Sequence, residues 1–198
     1  RATVPHGVDT DLFTPAPDRA TAWAALGYGG TRGIATVGRI RPEKGTDHFV
    51  AAMIDLLPTL PDTTALVIGR AAKSHQSFLN DLKSRIAAAG LGDRILFPGE
   101  VPAADLPALM RALSLVVQLP RYEGYGMVPL EGMASGVPFV GTDAGYYKAF
   151  TSAGTAGRIA TPDAAAATAR SILTTGFDKM AQAARDTACT RFSAQAEA

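Results

Sequence analysis

The sequence predicts an α/β fold, a doubly wound parallel sheet with helices on both faces. Five times in succession, a short run of β-branched and apolar residues is followed by a turn signal and then by a segment with helical spacing. The apolar runs lack strict alternation, which is typical of strands that are covered on both faces. Each intervening segment is long enough for the crossover that joins parallel strands. One parallel sheet accounts for all three observations.

The elements follow from this pattern in chain order. Strands are predicted at residues 33–38, 64–69, 94–98, 114–119 and 138–141, with a sixth short strand at 157–160. Helices are predicted at residues 46–57, 74–89, 103–113, 127–135, 163–174 and 178–192. Residues 14–31 contain several Pro and Gly and are expected to form a tether and a short helix. The first thirteen residues are expected to be an interdomain linker, so that the domain covers residues 14–198.

Composition and charge restrict the possible partners. The chain has 198 residues, of which 47% are hydrophobic and 19% are charged, so it is expected to fold rather than to be disordered or fibrous. Nineteen Lys and Arg against eighteen Asp and Glu give a net charge of +1. No general positive field is therefore expected to hold nucleic acid or an anionic membrane. Any anion is therefore expected to be bound by a local group of positive charges.

The cellular location is predicted from the cysteine content, the length of the apolar runs and the first residues. The one cysteine, Cys189, excludes an internal disulfide and suits a reducing compartment, so the cytoplasm is predicted. No apolar run approaches the roughly 20 residues that span a bilayer, and the first residues do not resemble a signal peptide. Because the chain lacks an initiating methionine and opens within a motif, it is expected to be a piece of a longer protein.

Ligands of open α/β sheets bind beyond the carboxyl ends of the strands, and the loop after the first strand carries suitable residues. Residues 38–45 end a strand, open a helix and place Arg39 and Lys44 near the first helical turn. Free N–H groups and the helix dipole favour an anion there, which makes a phosphate or diphosphate site plausible. The alternative is that these cations are solvated or paired with Glu43. The spacing fits neither a Walker loop nor a dinucleotide fingerprint.

The loop after the fourth strand is the most informative segment. It contains a Gly124-Tyr125-Gly126 turn, which lets backbone N–H groups approach a ligand, flanked by Glu123 and Glu131. Carboxylates accept hydrogen bonds, so the pair suits a ligand that is rich in hydroxyls. The alternatives are a favourable first-turn charge for Glu131 and a surface loop residue for Glu123.

This segment resembles the Glu-x7-Glu signature of the retaining glycosyltransferases of family 4, which have two Rossmann-like domains in the GT-B architecture. Glu123 and Glu131 fall on its two glutamates. Residues 4–13 resemble the family's interdomain connection, and residues 37–45 resemble its diphosphate-binding loop. Residues 95–101 are similar to the strand and loop near the nucleotide base. The resemblance covers nearly the whole chain and departs slightly at Gly132, where the family often has alanine.

The resemblance implies that the chain is the C-terminal, nucleotide-sugar-binding half of such an enzyme. Arg39 and Lys44 would neutralise the donor diphosphate as the glycosidic bond breaks. Glu123 would hold sugar hydroxyls or lie near the reacting face, and Glu131 would hold the ribose diol. The resemblance thus implies a catalytic set of Glu123, Arg39 and Lys44. It implies a donor site formed by Gly38, Arg39, Lys44, Glu123, Gly124, Tyr125, Gly126, Met127, Val128 and Glu131, without a metal or another cofactor.

Residues 121–126 are further similar to mannosyltransferases that build the lipopolysaccharide core. This similarity implies GDP-mannose as the donor and a glycan or lipopolysaccharide core acceptor, with retention of configuration. The acceptor would bind a missing N-terminal domain. The full-length enzyme would then be cytoplasmic and in peripheral contact with the inner face of the membrane, whereas the isolated chain would be inactive.

Several alternatives remain at this point. A nucleotide-sugar epimerase also binds a sugar diphosphate, and a binding module without activity would need the same loops. A glycosidase is disfavoured, because its two carboxylates flank a scissile bond. A nicotinamide dehydrogenase is disfavoured because the first loop lacks its glycine fingerprint. Four tyrosines either line a sugar pocket or pack locally: Tyr122, Tyr125, Tyr146 and Tyr147.

Overall fold

Six parallel strands form one sheet in the computed structural model, which describes residues 7–194. The strands are β1 Arg32–Val37, β2 Thr63–Ile68, β3 Ile95–Gly99, β4 Leu115–Gln118, β5 Phe139–Gly141 and β6 Gly157–Ile159. Their order across the sheet is β3-β2-β1-β4-β5-β6, and all five strand pairs are parallel. This is the strand order of a doubly wound fold. The predicted fold class is confirmed.

Helices connect and cover the strands. They are α1 Arg19–Ala25, α2 Thr46–Leu56, α3 Gln76–Ala88, α4 Leu106–Ala112, α5 Met127–Ala134, α6 Tyr147–Phe150, α7 Ala165–Ser171 and α8 Phe177–Arg191. Helix α6 was not predicted, because four residues are too few to show a helical period. A π-helical turn at Ile172–Gly176 joins α7 to α8 where the sequence predicted a break. None of the helices within residues 7–194 has the length and apolarity that crossing a membrane requires.

Apolar side chains extend from both faces of the central strands, as expected for a sheet between two helical layers. Ile34 and Val67 point into one cluster, which also contains α2 and α7 residues. Their neighbours Ala35 and Leu66 point into the other, which contains residues of α1, α4, α5 and α8. The strands are buried on both sides, which explains why their sequences do not alternate.

The strands β1 and β4 separate at the carboxyl edge of the sheet. They pair only at Ile34–Leu115 and Ala35–Val116. Beyond those pairs, the buried Gln118 side chain accepts a hydrogen bond from the Thr36 hydroxyl at 3.2 Å and donates one to the Val37 carbonyl at 2.9 Å. Chain connections run outwards in opposite directions from this point, so the loops after β1 and β4 border the crevice where doubly wound folds bind ligands.

The segment at residues 7–13 packs against α8. The Val8 N–H donates to the Phe192 carbonyl at 2.8 Å, and Val8 forms a parallel bridge with Ser193. The Arg185 guanidinium donates, at 2.6 to 3.1 Å, to three carbonyl oxygens on this segment and on α5: those of Thr10, Phe13 and Ala134. Residues 1–6 of the predicted linker lie outside the described residues, and its role as an interdomain connection stays a prediction.

Candidate functional site

The loops after β1 and β4 touch each other at the carboxyl edge of the sheet. Gly45 follows a short 3₁₀ turn at Pro42–Lys44 and has φ of +66°. A Cβ atom at this position would lie 1.7 Å from the Leu119 carbonyl oxygen, so only glycine permits this approach. The ring of His48 also contacts that oxygen, with Nδ1 at 3.1 Å. The two loops therefore form one continuous surface.

An ion pair joins the two loops across the crevice. The Lys44 Nζ lies 2.9 Å from Glu123 Oε2, and 26% and 19% of the two side chains remain exposed. The other oxygen of Glu123 accepts from the Gly124 N–H at 3.0 Å. The alternative in which Lys44 pairs with Glu43 is wrong, because Lys44 pairs with Glu123 and the Glu43 carboxylate lies 3.7 Å from Arg41 Nε. Glu123 is likewise not a free surface residue.

A second contact between the loops runs through Arg121. Its guanidinium donates to both carboxylate oxygens of Asp47, at 2.8 and 2.6 Å, and to the Pro42 carbonyl. Its backbone N–H donates to the Glu43 carbonyl at 2.9 Å. Burial alone would raise the pKa of Asp47, but the hydrogen bonds and charge of Arg121 outweigh it and hold that pKa below its ordinary value. The sequence carried no local signal for this pair.

The turn before α5 fits over a buried aromatic ring. Gly126 has φ of +114°, and a Cβ atom there would lie 2.2 Å from Cε1 of Tyr147. Tyr147 is 1% exposed, and its burial and the nearby Glu123 charge raise its pKa, so its hydroxyl stays neutral. Tyr147 therefore packs locally. Of the other tyrosines, Tyr125 packs against Tyr146 with the rings tilted by 46° and their centroids 5.0 Å apart, whereas Tyr122 is 74% exposed.

Helix α5 carries the remaining predicted donor residues. It begins at Met127, so the backbone N–H groups of Met127 and Val128 belong to its first turn. Glu131 is the fifth residue of the helix, and its interpretation as a first-turn charge is wrong. Burial raises the pKa of Glu131, because removal from water disfavours the charged carboxylate.

Replacing Glu131 with glutamine is expected to change the pH dependence of stability. A pKa raised by folding means that stability present at acid pH is lost as the pH rises through the folded-state value. Glutamine does not ionise, so Glu131→Gln does not lose this stability. As the pH rises from below 4.5 to neutral, its free energy of unfolding should therefore increase relative to that of the parent. Denaturant titrations at several pH values measure this difference. The exposed Glu43→Gln is the control, and an equal pH dependence in parent and Glu131→Gln would contradict the expectation.

A cavity opens on the other side of β1, at the carboxyl ends of β1, β2 and β3. Its volume is about 550 Å³, and its lining includes Gly38, Arg39, Gly69, Arg70, Glu100 and Val101. An adjoining cavity of about 400 Å³ shares Arg39, Arg70 and Glu100 and adds Lys73. Glu100 Oε2 lies 3.6 Å from Arg70 Nε. Gly38 and Arg39 thus line this cavity, and neither Lys44 nor Glu123 is among its lining residues. The positions of Arg70 and Lys73 at the cavity were not predicted.

A family model described as glycosyl transferases group 1 matches residues 24–187, most of the chain. The chain belongs to the group 1 glycosyltransferases. The match to this family gives no support to the epimerase alternative.

Two curated relatives of this group 1 domain are lipopolysaccharide core biosynthesis mannosyltransferases. The lipopolysaccharide core biosynthesis mannosyltransferase LpsB of Rhizobium meliloti (strain 1021) is 47% identical over 150 residues, which cover 75% of this chain and 42% of the relative. The corresponding enzyme LpcC of Rhizobium leguminosarum bv. viciae is 45% identical over 156 residues, which cover 79% and 44%. The chain thus spans less than half the length of these relatives. The predicted resemblance to such mannosyltransferases is confirmed.

Solved structures give the same assignment of the fold. The C-terminal domain of a group 1 glycosyltransferase, LpcC, from Francisella tularensis superposes with a TM-score of 0.91 at 33% identity, covering 96% of this chain and all of that one. Anabaena Alr3699/HepE in complex with UDP and glucose has a TM-score of 0.85 at 26% identity, covering 96% of this chain and 52% of that one. The group 1 domain therefore has the fold of the C-terminal half of a GT-B enzyme.

Proposed function

We propose that this chain is the donor-binding domain of a retaining mannosyltransferase that uses GDP-mannose and acts on the lipopolysaccharide core. The observation that carries the proposal is the Lys44–Glu123 pair, which joins two glycine-containing loops at the crevice of a group 1 glycosyltransferase domain. The two curated mannosyltransferase relatives support the choice of sugar and acceptor.

The donor diphosphate would lie between Arg39, Lys44 and the amino end of α5. Free N–H groups of Gly126, Met127 and Val128 face an anion at such a helix start. When the bond between the sugar and the diphosphate breaks, negative charge grows on the leaving oxygen. Arg39 and Lys44 stabilise that charge, so we propose no metal and no further cofactor.

Glu123 would exchange partners when the donor binds. In the structure described here its carboxylate accepts from Lys44 Nζ and from the Gly124 N–H. A diphosphate that attracts Lys44 releases one carboxylate oxygen, which can then accept a hydrogen bond from a sugar hydroxyl. This exchange would orient the sugar ring beside the phosphate that leaves.

The nucleoside would occupy the cavity beside Gly38 and Arg39, with Glu131 accepting from the ribose hydroxyls. Glu100 lines that cavity, and a carboxylate can accept from both the N1–H and the exocyclic amine of guanine. Uracil presents one N–H that is flanked by two carbonyl oxygens, and a carboxylate is repelled by those oxygens. Glu100 therefore supports GDP over UDP.

The acceptor would bind a second domain of the full-length enzyme. We propose a cytoplasmic enzyme in peripheral contact with the inner face of the membrane, because a lipopolysaccharide core acceptor is anchored in lipid. The contacting surface would belong mainly to the second domain.

Calorimetric titration with GDP, UDP, ADP and NAD tests the donor assignment. GDP should bind most tightly and NAD should not bind, and GDP-mannose should bind better than GDP-glucose. In Glu100→Gln, the preference for GDP over UDP should fall by roughly tenfold, as for the loss of a hydrogen bond to a charged group. A UDP or ADP preference would contradict the GDP-mannose assignment, and tight NAD binding would contradict the donor site itself.

A further inference from the structure

The Arg121–Asp47 contact joins segments that carry the two groups proposed to handle the donor. Arg121 precedes Glu123 by two residues, and Asp47 follows Lys44 by three. The guanidinium spans from the loop after β4 to the first turn of α2, where it donates to both Asp47 oxygens at 2.8 and 2.6 Å. The ion pair of Lys44 and Glu123 lies beside this contact and joins the same two segments.

The backbone reinforces the contact at the same place. The N–H groups of Arg121 and Tyr122 both donate to the Glu43 carbonyl, at 2.9 and 3.3 Å. Arg121 also donates to the Pro42 carbonyl, within the same 3₁₀ turn. Every one of these acceptors lies within three residues of Lys44, so the position of the Lys44 backbone depends on Arg121.

We infer that Arg121 and Asp47 are a positioning pair, which sets the separation of Lys44 and Glu123 and so prepares the crevice for a diphosphate. This inference rests on the proposed function, because it assigns a purpose to the same site. Arg121 and Asp47 act through Lys44 and Glu123 and need not touch the donor.

The planar guanidinium suits this task better than an ammonium group. A guanidinium donates two parallel hydrogen bonds to one carboxylate, which fixes both distance and orientation, whereas lysine acts as a point charge. Arg121→Lys therefore keeps the charge and loses the fixed geometry. We expect it to behave like Arg121→Ala at the site, although it conserves charge.

The first test reads the geometry without any ligand. The chain has five lysines, so isotope-labelled reductive methylation, which keeps their charge, gives a small set of NMR signals. Lys44→Arg assigns the signal of Lys44, because that signal disappears in the variant. Glu123→Gln gives the chemical shift that Lys44 has without the ion pair. In Arg121→Ala, Arg121→Lys and Asp47→Asn, the Lys44 signal should move towards its position in Glu123→Gln. The other four signals should stay unchanged.

The control is Arg158→Ala, because Arg158 is exposed and its guanidinium donates to the adjacent Gly157 carbonyl. A Lys44 signal that is unchanged in Arg121→Ala but moved in Glu123→Gln would overturn the inference. So would a Lys44 signal that does not respond to Glu123→Gln, because the pair to be positioned would then be absent.

The second test measures GDP affinity in a double-mutant cycle. Arg121→Ala should lower the affinity on the order of tenfold in the parent and less than about twofold in the Lys44→Ala background, because a positioning effect acts through Lys44. Equal losses in both backgrounds would mean a general structural role and would overturn the inference. If the NMR shifts appear but GDP does not bind, the proposed function fails while the positioning of Lys44 by Arg121 stands.

Discussion

Lys44→Ala is expected to weaken binding of the nucleoside diphosphate about 10- to 150-fold. The change removes a charged hydrogen-bond donor to the diphosphate, for which a loss of about 1.5–3 kcal/mol is typical. The loss should be large here because only 26% of the Lys44 side chain is exposed, so water screens its charge less than on an open surface. Calorimetric titration of the parent and the variant measures the loss.

A second variant separates the two partners of the ion pair. Glu123→Gln frees Lys44 from its carboxylate, so binding of the free nucleoside diphosphate should be unchanged or tighter, while the sugar conjugate should bind more weakly.

Lys179→Ala, at an exposed position of α8, is the control for the loss of one positive charge in Lys44→Ala. Equal affinity of parent and Lys44→Ala for the diphosphate would contradict the role of Lys44 in the donor site.

Gly126→Ala is expected to destabilise the chain by about 3 kcal/mol or more. The residue has φ of +114°, a conformation that costs a residue with a Cβ atom about 1–3 kcal/mol. The new methyl group would also lie 2.2 Å from the Tyr147 ring, and overpacking of a core typically adds 1–3 kcal/mol. The ring cannot yield easily, because Phe139 and Phe150 pack against it with centroids 5.8 and 6.2 Å away. Denaturant unfolding measures the change.

Gly124→Ala is the matched control in the same turn. A Cβ atom at Gly124 would meet no atom within 4 Å, and its φ lies outside the range that disfavours other residues. The two substitutions add the same methyl group two residues apart, so the difference in their free energies of unfolding measures the combined cost of the positive φ and of the close fit over Tyr147. Similar effects of the two variants would contradict both the backbone and the packing cost expected at Gly126.

Local patterns predicted the strands and the places where charged loops follow them. Gly38, Arg39 and Lys44 come directly after an apolar run, and Glu123 comes just after another. Because the carboxyl ends of parallel strands share one edge, these patterns also predicted that the two loops would lie at the same edge.

Contacts between distant residues could not be predicted in this way. Arg121 and Asp47 are 74 positions apart, and neither residue type has a preference that identifies the other. The need for glycine at Gly126 depends on Tyr147, which lies on a helix of four residues. The cation Arg70 lines the cavity because β2 ends beside β1, which is a property of the strand order.

The packing of residues 7–13 against α8 determines where this domain can be cut. A chain that began at residue 14 would remove the Val8 partner of Ser193 and two of the three carbonyl acceptors of Arg185, leaving that of Ala134. The end of α8 would lose its backbone contact, and the partly buried guanidinium would keep the Ala134 carbonyl but lose its two acceptors in the segment at residues 7–13. A unit to be exchanged between glycosyltransferases should therefore carry this segment with it, so that the graft joint lies before Val8 and not at the start of the sheet.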